Sequence, residues 1–161
     1  RVQKRLDAAG LPPKSIPPRL FLPLVEAASA EDDETLQEMW AGLLASASQD
    51  SETISASFVQ TLKQLNPREA GFLVELNRSY GAQKFPWEPR SVNPFRFREK
   101  DVPPTARDTF ERLGLLRRDF GITRGESGRE EPDVGYQFIL TDYAVNFLAA
   151  CQGPHPAKGT A

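Results

Sequence analysis

The chain has 161 residues and a formal net charge of −2 at pH 7, with 26% charged and 39% hydrophobic residues. This length fits one domain, or one small domain with a helical extension, and the composition is that of a globular protein with a hydrophobic core. The net charge gives no general attraction to nucleic acid, the single cysteine allows no intrachain disulfide, and no apolar run is long enough to span a bilayer.

Two helices are predicted before residue 30, with a proline-rich connector between them. Arg1–Ala9 has a helical apolar face, and Arg1 lies inside that predicted helix, so we expect further sequence upstream. Leu11–Pro18 contains four prolines and is predicted to be extended. Ser15 is the predicted cap of the next helix, which reads RLFLPLVEAAS, with Pro17 and Pro18 in its first turn.

The clearest predicted helix is SAEDDETLQEMWAGLLASAS, with Ser29 as its cap and the acidic run 31–34 near the positive end of its dipole. Its apolar stripe consists of Leu36, Trp40, Leu43, Leu44 and Ala47. Trp40 lies in the middle of this stripe and is predicted to be a central packing residue. Four consecutive carboxylates fan out around a helical turn, so we interpret the run as a solvated helix start rather than a metal site.

Two further helices are predicted before a segment that has no helical period. Ala56–Leu65 forms the first, and the second begins with Asn66 as cap, Pro67 in the first position and Glu69 in the third. The segment Tyr80–Pro104 then contains five prolines, and FRFR at residues 95–98 alternates at period two. This alternation predicts a short strand with its phenylalanines turned inward.

Residues 105–152 read as helix, strand, polar turn, strand and helix. The predicted bounds are Thr105–Leu113 ending at Gly114, Leu115–Ile122, Gly125–Asp133, Tyr136–Leu140 and Asp142–Cys151. The phrase FERLGLLRR…YQFILTDYAVNFL resembles the second half of a winged helix-turn-helix, a fold that binds nucleic acid or protein. The prolines of Tyr80–Pro104 depart from that fold, because they lie where its second helix belongs.

Three phrases resemble the abortive-infection-alpha (Abi-alpha) family of bacterial proteins associated with phage defence. They are IPPRLFLPLVEAASAEDDETLQEMWAGLLASAS, SASFVQTLKQLNPREAGFLVEL and FERLGLLRRDFGI…ILTDYAVNFL, which together cover most of residues 16–148. The resemblance implies a role in shutting down an infected cell and implies no catalytic residues. The resemblance also implies further N-terminal sequence, which members of the family look as though they usually have.

Arginines provide two candidate nucleic-acid surfaces. Residues 63–118 hold twelve basic and seven acidic side chains, whereas residues 1–54 hold five and nine, so a polyanion would bind the later region. One surface is a basic patch of Arg90, Arg96, Arg98, Lys100, Arg117 and Arg118, with the alternative that the strand arginines only keep an edge strand soluble. The other surface is Arg107 and Arg112 on the predicted recognition helix. The alternative is that each arginine pairs with a carboxylate four residues away in the same helix, Arg107 with Glu111 and Arg112 with Asp108.

Aromatic residues provide the candidate protein interface. Phe85 and Trp87 lie in the proline-rich segment, and aromatic side chains are enriched in interface cores. Phe95 and Phe97 are predicted to face inward instead. Cys151 shares a helical face with Phe147 and is predicted to be a buried structural thiol. His155 is the only histidine and lies in the tail.

The sequence as a whole predicts a mainly α-helical protein, consisting of a helical layer and a winged-helix-like α+β domain with a small antiparallel sheet. The predicted regions are a helical layer at 1–53, the winged-helix-like domain at 54–152 and a disordered tail at 153–161. We expect a cytoplasmic, non-enzymatic binding module without metal or cofactor. Its expected partner is another protein or a second copy; nucleic acid is the alternative, and no membrane contact is visible.

Overall fold

The computed structural model describes residues 2, 6–7, 14–51, 54–81, 96–119 and 137–154. Phe85, Trp87, Phe95, the turn at 125–133 and most of the first predicted helix lie outside these residues, as do residues 155–161 of the predicted tail. The side chains of Arg96 and Arg98 are also outside the description.

The described residues form six α-helices and a small antiparallel sheet, which confirms the predicted mainly α-helical class. The helices are α1 (Pro18–Ser29), α2 (Glu34–Ala47), α3 (Ala56–Lys63), α4 (Pro67–Gly81), α5 (Pro104–Arg112) and α6 (Asp142–Gln152). The strands are β1 (Arg96–Arg98), β2 (Leu116–Asp119) and β3 (Gln137–Leu140), and a 3-10 turn covers Glu99–Asp101. No helix in the described part of the chain is long and apolar enough to cross a membrane.

The chain divides into two compact units. Arg1–Asn77 together with Asn146–Ala161 form one, called the helical unit, and Arg78–Val145 form the other, called the sheet unit. The predicted boundary after residue 53 differs from this division. The reason is that α3 packs on α1 and α2 and so belongs with the N-terminal helices.

The first two helices begin at other residues than the sequence pattern suggests. Pro17 is the N-cap of α1 and supplies no side-chain hydrogen bond, so the predicted cap at Ser15 is wrong. The ring of Pro18 fixes φ at the first helical position, which allows the helix to begin there. Ser29 is the last residue of α1 rather than the cap of α2. Asp33 is the cap of α2, because its Oδ1 accepts the Leu36 N–H at 3.0 Å.

The helical unit is centred on α2, of which eight of fourteen residues are buried. Trp40 is 2% exposed, which confirms its predicted position in the core. Within the same unit, the ring centroids of Phe58 and Phe147 lie 5.8 Å apart, edge to face, so these rings join α3 to α6.

The backbone of α6 approaches α2 unusually closely at Gly42. A Cβ atom on Gly42 would overlap the carbonyl oxygen of Cys151. One turn further along α2, the Ser46 hydroxyl donates to the carbonyl oxygen of Ala150 at 2.9 Å. The last carbonyls of a helix have no partner within it, so α2 both receives the end of α6 and satisfies one of its acceptors.

The start of α4 matches the sequence prediction. The Glu69 N–H donates to Oδ1 of Asn66 at 3.0 Å, and the Asn66 N–H donates to Oε2 of Glu69 at 2.9 Å. This reciprocal capping satisfies two backbone donors at once, with Pro67 in the first helical position.

In the sheet unit, β3 is the central strand and is antiparallel to both β1 and β2. Phe138 pairs with Phe97 on one side and with Arg118 on the other, and Phe97 is buried as predicted. The helix α5 buries Ala106 and Phe110 against this unit.

A glycine ends α5 as the sequence predicts. Gly114 has φ of +69°, its N–H donates to the Glu111 carbonyl at 3.0 Å, and the Leu115 N–H donates to the Phe110 carbonyl at 2.8 Å. This pair of bonds is a Schellman motif, which needs a left-handed residue at the position of Gly114. The Thr141 hydroxyl donates to the Gly114 carbonyl and accepts the Ala144 N–H, so it also caps α6.

Candidate binding surfaces

The predicted sheet arginines, namely Arg96, Arg98, Arg117 and Arg118, lie on the two strands that flank β3. Positions 96 and 117 are the direct cross-strand neighbours of Ile139, one from each side. The FRFR strand therefore pairs with the strands of the C-terminal pattern, as the proposed surface requires. Arg117 is exposed and forms no ion pair with any residue in the described ranges.

Arg118 is held by a carboxylate from the preceding helix. Its Nε lies 2.9 Å from Oε1 of Glu111, and its Nη2 donates to Oε2 of the same residue at 2.9 Å. This is the two-pronged geometry in which guanidinium and carboxylate match best. A phosphate that bound Arg118 would therefore compete with Glu111.

Arg107 is held by the turn before its helix, so the predicted pair of Arg107 and Glu111 within α5 is wrong. Its Nη1 lies 2.6 Å from Oε1 of Glu99, and its Nε donates to the Val102 carbonyl at 3.0 Å. Because Arg107 lies in the first turn of α5, it reaches back to the 3-10 turn at 99–101, which leaves Glu111 to Arg118. Arg112 is exposed in the last turn.

An exposed apolar patch lies on α1, where sequence reasoning placed no site. Leu22 is 64% exposed and Phe21 is 43% exposed, whereas Leu20 and Leu24 are buried. We call the set Arg19, Phe21, Leu22, Val25 and Glu26 the α1 surface. The signal was present in the sequence, because apolar residues at 20, 21, 22, 24 and 25 cannot all fit on one side of a helix.

A groove of about 630 Å³ adjoins this patch within the helical unit. Phe21 and Val25 form one wall and Leu44 of α2 contributes to another. The remaining lining residues are Val2, Leu6, Lys14, Ser15, Ile16 and Ser48. The groove extends the apolar character of the α1 surface toward α2.

The remaining candidate residues are Cys151, which the structure describes, and Phe85 and Trp87, which it does not. Cys151 is 4% exposed, in agreement with its prediction as a buried thiol. No group of three or more potential metal ligands occurs among the residues that the structure describes. Phe85 and Trp87 lie outside those residues, so the interface proposed for them stays a prediction.

The comparisons with known proteins identify a family. No curated protein and no solved structure matches the chain. The model of the abortive infection alpha family matches residues 1–151, nearly the whole length, and confirms the resemblance found in the three sequence phrases. The chain therefore belongs to the abortive infection alpha family.

Proposed function

We propose that this chain is a non-enzymatic binding module of an abortive-infection protein, and that it acts in phage defence through protein–protein contacts at the α1 surface. Family membership supports the role in defence. The exposure of Leu22 and Phe21 beside an apolar groove carries the proposed mechanism.

The physical argument is the free energy of hydration. Burying a Leu or Phe side chain that was exposed to water contributes about 1.5–3 kcal/mol, so a partner that covers Leu22 and Phe21 gains from both. Contiguous apolar surface on a folded protein commonly marks an interaction site. In this proposal Cys151 packs in the core, where a thiol that is 4% exposed is out of reach of a substrate.

The test is Leu22→Asp in the full-length protein, with Val74→Asp as the matched control. Val74 is 43% exposed on α4, so both substitutions place a carboxylate at an exposed apolar position of the helical unit. We expect Leu22→Asp to abolish phage protection, measured as plaque count, without lowering the melting temperature. Val74→Asp should leave both unchanged. Full protection by the Leu22→Asp protein would contradict the proposal.

The aromatic residues of the proline-rich segment remain a second candidate contact in the same class of function. Trp87→Ala is expected to leave the melting temperature nearly unchanged while it weakens self-association or phage protection, because Pro86 and Pro89 flank an exposed ring in this interpretation. A large loss of stability in the Trp87→Ala protein would contradict this interpretation and indicate that Trp87 packs in the core.

Nucleic-acid binding is the alternative, and the register of the sheet favours it. Cross-strand pairing brings Arg96 and Arg117 to either side of Ile139, and the order of α5, β2 and β3 is that of the second half of a winged helix. The test is fluorescence anisotropy with duplex and single-stranded DNA and RNA at two salt concentrations. Phosphate contacts by Arg96, Arg98, Arg117 and Arg118 predict a steep loss of affinity with salt. Absence of binding at low salt would remove this alternative.

A further inference from the structure

We infer that the partner of the α1 surface is a second copy of this chain, whose α1 lies antiparallel across the first. This inference rests on the proposed function and names its partner. It follows from the order of charged and apolar residues along the exposed side of one helix.

Arg19, Leu22 and Glu26 lie at spacings of three and four residues, and all three are exposed. At 3.6 residues per turn they share one side of α1, with Arg19 one turn before Leu22 and Glu26 one turn after it. The exposed side therefore reads positive, apolar, negative from its N-terminal end. When a second copy of this helix runs in the opposite direction, each positive group lies opposite a negative group.

A twofold axis at Leu22 would create two equivalent ion pairs between the copies. It places Leu22 against Leu22 of the partner subunit and reverses the direction of the second helix, so Arg19 of each copy faces Glu26 of the other. A parallel arrangement would instead bring like charges to the same level. An interface between identical copies is made of one patch that fits itself, and this patch does so only in the antiparallel arrangement.

Both charged groups are available for such pairs. Among the residues that the structure describes, neither Arg19 nor Glu26 takes part in an ion pair or a side-chain hydrogen bond. The arginines of the sheet unit differ in this respect, since Glu99 holds Arg107 and Glu111 holds Arg118.

Apolar residues beside this row add a second pair of contacts. Phe21 and Val25 lie one turn apart on the flank of α1 that lines the groove. The same axis brings Phe21 of one copy next to Val25 of the other. A stable protein–protein interface typically buries about 1,600 Å² of surface. Two helices of twelve residues bury less than this, so we expect a weak dimer whose population depends on the protein concentration.

Charge reversal tests the pairing. Sedimentation equilibrium of the full chain should show a dimer whose dissociation constant rises about tenfold with Arg19→Glu and about tenfold with Glu26→Arg. The double variant, Arg19→Glu with Glu26→Arg, restores opposite charges and should return the dissociation constant to within about threefold of the original. Additive weakening in the double variant would overturn the inference.

Cross-linking tests the position of the axis. In a Cys151→Ser background, Leu22→Cys should form an intermolecular disulfide under mild oxidation, because the axis brings the two residues at position 22 together. Val74→Cys, equally an exposed apolar position, should not.

The outcomes separate this inference from the proposed function. A chain that stays monomeric at all concentrations overturns the antiparallel dimer, and if Leu22→Asp still abolishes phage protection, the α1 surface binds a different protein. If the dimer forms as described but Leu22→Asp leaves protection intact, the dimer is supported and the proposed function fails.

Discussion

The helical unit and the sheet unit differ in whether the side chains considered for binding are already held by neighbouring residues. In the sheet unit, Glu99 and Glu111 hold two of the predicted binding arginines. In the helical unit, Leu22 and Phe21 are exposed beside a groove, and Arg19 and Glu26 form no ion pair within the described part of the chain. The sequence directs attention to the arginines, whereas we propose that the α1 surface of the helical unit binds the partner.

The largest effects should come from removing a buried aromatic ring, and each of the two units contains such a ring in its hydrophobic core. Trp40 lies in the helical unit and Phe110 in the sheet unit, and neither is more than 2% exposed. We expect Trp40→Ala and Phe110→Ala each to lower the free energy of unfolding by about 3–5 kcal/mol. Urea unfolding measures both. A loss below about 1 kcal/mol for either variant would show that the unit concerned has no tightly packed core.

The next largest effect should come from Gly42→Ala, since the added methyl group meets the backbone of Cys151 and not a side chain that can move. We expect a loss of about 3 kcal/mol, near the upper end for overpacking. Gly71→Ala is the matched control, because a Cβ at Gly71 in α4 meets nothing within 4 Å. That control should stabilise the protein by up to about 1 kcal/mol. Equal effects of the two substitutions would contradict the close contact.

Gly114 tests a different requirement in the sheet unit. A Cβ there would meet nothing within 4 Å, but the φ of +69° disfavours residues with a side chain. Gly114→Ala should therefore cost about 1–2 kcal/mol through backbone conformation alone. Gly114→Asn should cost less than Gly114→Ala, since Asn tolerates this conformation better. Thermal unfolding of both variants checks the order.

The smallest effect is expected at the Arg118–Glu111 pair. The side chains are 47% and 26% exposed, so Glu111→Gln should cost only about 0.2–1 kcal/mol, and less at high salt. The informative readout is nucleic-acid affinity at low salt. If Arg118 binds phosphate, freeing it from Glu111 should strengthen binding, whereas an unchanged affinity would leave Arg118 in a structural role.

Local features of the fold could be predicted from the sequence, because the interacting residues lie within one turn of each other. The capping of α4 by Asn66 and Glu69 and the end of α5 at Gly114 are of this kind. The sequence does not specify the start of α2, because five polar residues at 29 and 31–34 are all possible caps. Ser29 is still part of α1, so the cap lies further along the chain, at Asp33.

Contacts between distant residues could not be predicted in the same way. Arg107 can reach either Glu111 or Glu99, and the choice depends on the 3-10 turn that precedes α5. The α1 surface depends on which side of a largely apolar helix faces α2, and the pattern of RLFLPLVEAAS does not specify this side.

The contact of α6 with α2 has a consequence for synthesis of the chain. Ser46 and Ala150 are 104 residues apart, so α2 leaves the ribosome long before the helix that covers Gly42 is made. Contacts of such long sequence separation form late, and until then the apolar side of α2 is exposed to chaperones and proteases. Translation that stops before α6 leaves the helical unit incomplete. Only chains translated through residue 151 can therefore complete the contact between α2 and α6.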